Sequence, residues 1–211
     1  MAKNSTYHHG DLPAALIAAA AVEIERIGHE NLSLRELAAS LDVSRAAPYR
    51  HFADRRALLA ALATEGFERL AGIYRNAAGK TPEMRLAFSG RAYLAFAAER
   101  PQLFRLMFAS DLFSAPPLDP KLTKAAATCY EIFESLVAAT LDDPDDRAIK
   151  ATTIGLMSST YGFALLRMGD RIRPFMYGQL TPSDLVDTVL SMKATTLPGT
   201  DGRKPRKKFA R

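Results

Sequence analysis

Residues 33–58, SLRELAASLDVSRAAPYRHFADRRAL, decide how the rest of the chain is read. Ser33 and Glu36 stand at the spacing of a capping box, in which a hydroxyl at the N-cap and a carboxylate three residues on satisfy each other's backbone N–H groups. Leu32 and Leu37 occupy the N′ and N4 positions of a hydrophobic staple, so the start of this helix and the angle at which the chain enters it are both specified. Leu34, Leu37, Ala38 and Leu41 form its apolar face. A stop is expected at Asp42-Val43, with Val43 turned into the core and Ser44 capping a further helix from Arg45 to His51. Pro48 falls in or just past the first turn of that helix, where its missing N–H removes about one hydrogen bond. Two short helices joined by a turn of about three residues make a helix-turn-helix.

Upstream, Asp11 is placed to cap a first helix with Pro13 in its first turn, and Leu16, Ala19, Ala20, Ile24 and Ile27 recur at helical spacing until Gly28 ends it. Residues 1–10 read as an exposed polar arm. His8 and His9 in it lack a third ligand and a fixed geometry, so no metal site is expected there. Downstream, Asp54 caps a long helix to about Asn76 through Leu58, Leu59, Leu62, Leu70 and Ile73. Thr81-Pro82 opens another that runs to Glu99, and Pro101 begins a short aromatic helix, PQLFRLMF. A Pro-rich loop over 111–120 precedes a helix to about Leu141. Asp142-Asp143-Pro144 breaks it, and a helix rich in small residues follows to Met168. Thr181-Pro182 opens a last helix to about Leu197. The pattern predicts an all-α fold of about nine helices, a three-helix helix-turn-helix domain followed by a larger helical bundle. The expected boundaries are 7–56 for DNA binding, 57–197 for ligand binding and dimerisation, and 198–211 for a disordered basic tail.

The net charge of +5 is easily misread. Residues 198–211 hold six basic side chains against Asp201, which accounts for the whole excess, and the body of the chain is neutral. A DNA-binding surface in the body must then come from local clustering. Arg45, Arg50, Arg55 and Arg56, opposed only by Asp54, supply it. At 48% apolar residues the chain can bury a substantial core. It has no long apolar run and a polar start, so a cytoplasmic protein without membrane contact is expected. The lone Cys129 excludes an internal disulfide and a multi-cysteine metal site, and reads as a small core residue.

In a helix-turn-helix the second helix enters the major groove, its first residues reach base edges, and flanking groups hold phosphates. Arg45 can donate two hydrogen bonds to a guanine edge. Ala46, Ala47 and Pro48 are short, which allows close approach and contact with a thymine methyl. Ser33, Ser44, Tyr49, His51 and Arg55 are phosphate partners by hydroxyl, imidazole or charge, Arg35 can face base or phosphate, and Arg50 adds to the basic cluster.

The run from Leu32 to Leu59, with Ser-Leu-Arg-Glu-Leu-Ala, Leu-x-Val-Ser, Ala-Pro-Tyr-Arg-His-Phe and Ala-Asp-Arg-Arg-Ala-Leu-Leu, closely resembles the N-terminal domain of the tetracycline-repressor (TetR) family of bacterial transcriptional regulators. The arm Tyr-His-His-Gly-Asp-Leu agrees with it. Where the family usually has Lys this chain has Arg55, and where it often has an acid this chain has Arg56. Residues 99–108 and 161–166 resemble the subgroup with a tryptophan-histidine-glycine signature, with Tyr161 where that signature has His and no Trp in the chain. The resemblance implies a homodimer packed through its last two long helices. It also implies a regulatory domain for a small-molecule effector, and release from a palindromic double-stranded operator when that effector binds, hence most often a repressor.

For the effector site the aromatic and Met residues of the C-terminal part offer Phe96, Phe104, Met107, Phe108, Tyr130, Phe133, Met157 and Tyr161, from a wider set that includes Phe88, Tyr93 and Phe113. Aromatic and Met residues at helical spacing are more often core, so the expectation attaches to the set and not to any one member. An apolar or aromatic effector is the expectation, and a DNA-binding architectural protein without a ligand is the alternative. No Gly-rich phosphate loop, metal spacing or nucleophile–base pair is present, so neither a cofactor nor an enzymatic activity is expected.

Overall fold

Local capping sets the helix boundaries of the computed structural model, which describes residues 11–191. The Asp11 carboxylate accepts the Ala14 N–H at 3.2 Å and starts α1 (Leu12–Ile27), which ends at Gly28 with φ +81°. Ser33 Oγ accepts the Glu36 N–H at 3.5 Å to start α2 (Leu34–Ser40), with Leu32 and Leu37 both buried. Asp54 Oδ1 accepts the Ala57 N–H at 2.8 Å to start α3 (Arg55–Arg75), and Thr81 Oγ1 accepts the Met84 N–H to start α4 (Pro82–Glu99). Then come α5 (Pro101–Ala109), α6 (Pro120–Ala138), α7 (Asp146–Met168), α8 (Pro174–Tyr177) and α9 (Pro182–Ser191). Among the described residues there are nine α-helices and no strand, in agreement with the all-α expectation. The arm with His8 and His9, the expected last turn to Leu197 and the basic tail lie outside the described residues.

Two expectations need correction here. The segment after the turn is not a regular helix from Arg45 to His51: residues 45–47 form a turn and Pro48–Arg50 a 3₁₀ helix. Pro48 has no N–H to give the Ser44 carbonyl and its ring crowds that oxygen, so the chain winds more tightly, with Ala47 N–H to Ser44 O at 2.9 Å and His51 N–H to Pro48 O at 3.0 Å. The second concerns Ser44, because the 3₁₀ helix has no side-chain cap. The nine helices therefore differ in membership from the expected nine, with the short α8 standing in for the missing recognition helix.

α3 organises the whole molecule. Its first half closes the helix-turn-helix, where Leu58, Leu59 and Leu62 meet α1. Its second half runs along α6, where Tyr74 and Phe133 approach with ring centroids 5.4 Å apart. Each fully buried Leu here contributes about 1.5–3 kcal/mol relative to exposure. One continuous core extends from Leu16 in α1 to Ala164 in α7. Gly66 lets the Met107 side chain of α5 pack against α3, since a Cβ there would lie 2.6 Å from Met107 Sδ. Among the described residues no helix is long and apolar enough to cross a membrane.

Candidate nucleic-acid interface and effector cavity

The turn between α2 and the recognition segment has a definite chemistry. Asp42 adopts φ +53°, the Val43 N–H bonds the Ala38 carbonyl at 3.0 Å, and the Asp42 N–H bonds the Ala39 carbonyl at 3.2 Å. This is a Schellman closure with Asp, a residue that tolerates the left-handed region, in the position usually held by Gly. Val43 is half-buried, while Pro48 and Phe52 are buried and pin the recognition segment to the core. That anchoring leaves Ser44, Arg45, Ala46, Tyr49, Arg50 and His51 exposed on one surface, with Ala47 half-buried. Pro48 therefore packs inward, and its expected contact with a thymine methyl is not available from this position. Arg35 lies exposed on α2 beside the same surface, and Ser33, half-buried, spends its hydroxyl on the cap.

The basic cluster of the sequence divides into two kinds of arginine. Arg45, Arg50 and Arg35 form no ion pair among the described residues. Arg55 Nη1 instead donates to the carbonyls of His29 and Glu30, both at 2.7 Å, and so ties the start of α3 to the 3₁₀ turn between α1 and α2. Arg56 is engaged by the loop beyond α5. Its Nη2 donates to the carbonyls of Asp111, Leu112 and Ala115, and its Nη1 lies 3.3 Å from Asp111 Oδ1. A second bond joins the two parts of the chain, because Glu25 of α1 accepts the N–H groups of Gln102 and Leu103 at 3.1 and 3.0 Å. α5 has no capping side chain of its own, so α1 supplies its cap. Both ends of α5 are thus held by residues of the helix-turn-helix part.

Behind α5 lies a cavity with about 90 Å³ of free space. α3 lines it with Phe67, Leu70 and Tyr74, α4 with Leu86, Ala87, Gly90 and Tyr93, and α5 with Phe108. The far wall is Cys129, Tyr130 and Phe133 from α6 and Leu156, Met157 and Thr160 from α7. Leu190 of α9 closes one side against Gly90, where a Cβ would meet the Leu190 side chain, and Arg91 of α4 and Asp187 of α9 form an exposed ion pair. A neighbouring depression of about 300 Å³, lined by Ile154, Ser158 and Tyr161 together with Tyr93, Phe108, Tyr130 and Met157, shares part of its wall. No charged side chain lines either space. Burial pushes the Tyr74 and Tyr93 phenols well above the ordinary range and the Cys129 thiol up to about 12, so all three are protonated at neutral pH.

Of the eight residues expected to line an effector site, Phe108, Tyr130, Phe133 and Met157 line the cavity and Tyr161 lines the neighbouring depression. Phe96, Phe104 and Met107 do not; they are fully buried core side chains. Sequence reasoning missed the contribution of α3, because Phe67, Leu70 and Tyr74 continue a helix whose earlier apolar residues serve the helix-turn-helix.

Comparison with known proteins agrees with this architecture. Residues 16–62 match the family described as bacterial regulatory proteins, tetR family, and residues 86–191 match the tetracyclin repressor-like C-terminal domain. No curated protein matches the chain. Among solved structures, a Rhodococcus sp. RHA1 protein of unknown function is 32% identical with a TM-score of 0.73, over 90% of this chain and 99% of that one. A bacterial regulatory protein of the tetR family from Rhodococcus RHA1 (23% identity, TM-score 0.62, 86% and 96% covered) has the same fold. So does the TetR family transcriptional regulator PfmR from Thermus thermophilus (18%, 0.58, 83% and 96%). The chain belongs to the TetR family of transcriptional regulators, DNA-binding proteins and not enzymes.

Proposed function

We propose that this regulator is a homodimeric repressor that binds a palindromic operator and is released by a small uncharged effector seated in the cavity behind α5. The observation that carries the reading is the position of α5. Its Phe108 forms part of the cavity wall, and its two ends are bonded to Glu25 and, through the 111–115 loop, to Arg56. A ligand that displaces Phe108 acts on the same rigid piece that the helix-turn-helix holds, which gives the differential contact that any ligand-driven shift requires.

In this reading residues 7–56 bind DNA and residues 57–197 bind ligand and partner, with α3 common to both. Arg45 reads a base, Arg50 and Arg35 lie along the duplex, and Ser44, Tyr49 and His51 meet phosphates. Arg55 meets phosphate with the guanidinium N–H groups that His29 and Glu30 leave free. Support for the dimer comes from the outer face of α7. Ala151, Ile154, Gly155, Ser158, Gly162 and Leu166 line it without a charge, a Cβ at Gly155 or Gly162 meets nothing within 4 Å, and Phe175 and Met176 of α8 are exposed. Small residues on an uncovered apolar helix face allow close helix contact, and a two-fold partner doubles the contacts of one small reading head. Binding-site selection with the purified protein tests the proposal: a palindrome with half-sites about one helical turn apart supports it, and an unstructured preference for any duplex contradicts it.

A further inference from the structure

Most polar side chains in and around the cavity are satisfied by the protein. Tyr130 donates its hydroxyl to Glu134 Oε1 at 2.9 Å, and Thr160 donates to the Leu156 carbonyl at 2.8 Å. Tyr74 and Tyr93 are different. They come from two helices, line the same cavity, and are only 5% and 8% exposed, yet neither hydroxyl has a hydrogen-bond partner among the described residues. They are not sealed in either, since the one fully enclosed unpartnered side-chain polar atom among those residues is His29 Nδ1. Both phenols belong to the cavity lining, so a molecule seated there can meet their oxygens. Cys129 lines the cavity with them.

Two donors without a protein partner, brought to one apolar cavity from two helices, are the feature that a hydrogen-bond acceptor on the occupant would meet. The remaining walls define the rest of the occupant. Phe67 and Phe108 meet edge to face at 5.3 Å, and Phe133 and Tyr130 close the opposite side, a shell that suits a flat ring. With no basic side chain on the lining, a carboxylate would lose its hydration without a counter-charge. The free space of about 90 Å³ is tight for one ring.

We propose that the effector is an uncharged ring compound carrying a carbonyl oxygen, which accepts hydrogen bonds from the Tyr74 and Tyr93 hydroxyls while its ring lies among Phe67, Phe108 and Phe133. This rests on the reading of the cavity as the effector site. Anionic aromatic compounds are excluded by the same lining.

Acetophenone, ethylbenzene and benzoate share one ring and differ in the group at issue, so they serve as probes on the full-length protein by calorimetry and ligand-observed NMR. Acetophenone should bind at least about tenfold more tightly than ethylbenzene, and benzoate should not bind. Tyr74→Phe with Tyr93→Phe removes only the two oxygens. It should cut acetophenone affinity about tenfold and leave ethylbenzene binding where it was. If the double variant fails to fold, the two single variants are read in the same way, each with a smaller loss. Acetophenone affinity unchanged by the hydroxyl deletions, or benzoate binding more tightly than acetophenone, overturns the carbonyl assignment while leaving the cavity as a ligand site. Failure of all three probes to bind the wild-type cavity overturns the effector-site reading itself.

Discussion

Replacing Arg56 by Met keeps the aliphatic stem and removes the guanidinium, and its effect can be worked out from the contacts. Nη2 lies 2.6 Å from the Ala115 carbonyl, 3.1 Å from that of Leu112 and 3.2 Å from that of Asp111. One nitrogen carries two N–H groups, so three acceptors amount to two good bonds at a time. Hydrogen bonds from a charged donor contribute about 1.5–3 kcal/mol each when protected from water. Arg56 is 31% exposed and Asp111 77%, so water competes for both, and the ion pair between them adds at most about 1 kcal/mol. A loss of about 2–3 kcal/mol follows. At about 2–4 °C per kcal/mol for a chain of this size, the melting midpoint should fall by about 4–12 °C. Arg56→Lys, which keeps the charge and loses the fork, should fall in between. Calorimetry at one fixed protein concentration reads the effect without confusing it with subunit dissociation. A shift below about 1 °C would refute the assignment of Arg56 as the clamp that fastens the start of α3 to the loop beyond α5.

Glu25→Ala removes the acceptor for two N–H groups at the start of α5 and should cost about 1–2 kcal/mol in urea unfolding; no loss would mean that the cap is not formed in solution. Gly162→Glu fits the isolated chain, where its Cβ meets nothing within 4 Å, but buries a charge in the proposed dimer. Light scattering should show the mass fall from twice 23.1 kDa to 23.1 kDa, and an unchanged dimer would move the interface elsewhere. Cys129, buried and with its thiol pushed up to about 12, should resist a thiolate-selective reagent at pH 8 in the native protein. Labelling should become fast only on unfolding or as the pH rises toward that value, and rapid labelling at pH 8 would contradict its burial.

What the chain announces in advance is local. Asp11, Ser33, Asp54 and Thr81 each start a helix within a residue of the expected place, because a cap is a bond between neighbours three residues apart. The recognition segment was harder for the same reason. Counting Pro48 as one lost bond ignored the crowding of its ring against the Ser44 carbonyl, and that crowding turns an α-helix into a 3₁₀ turn. Charge counting could group Arg45, Arg50, Arg55 and Arg56, but the carbonyls that engage Arg56 lie 55 to 59 residues away, and those that engage Arg55 lie 25 and 26 away. No local pattern reveals such partners. Likewise the aromatic inventory found the cavity's α5, α6 and α7 walls yet could not separate Phe108 from Phe104 one turn earlier. That distinction depends on how α5 is rotated against α3 and α4.

The central claim is that the exposed surface around Arg45 reads bases, and fluorescence anisotropy with Arg45→Ala tests it most directly. On a selected operator the variant should lose about 1–3 kcal/mol for each half-site and relax its preference at one position, while affinity for scrambled duplex at the same salt stays close to wild type. Equal losses on operator and scrambled DNA would reduce Arg45 to a phosphate contact and contradict the account.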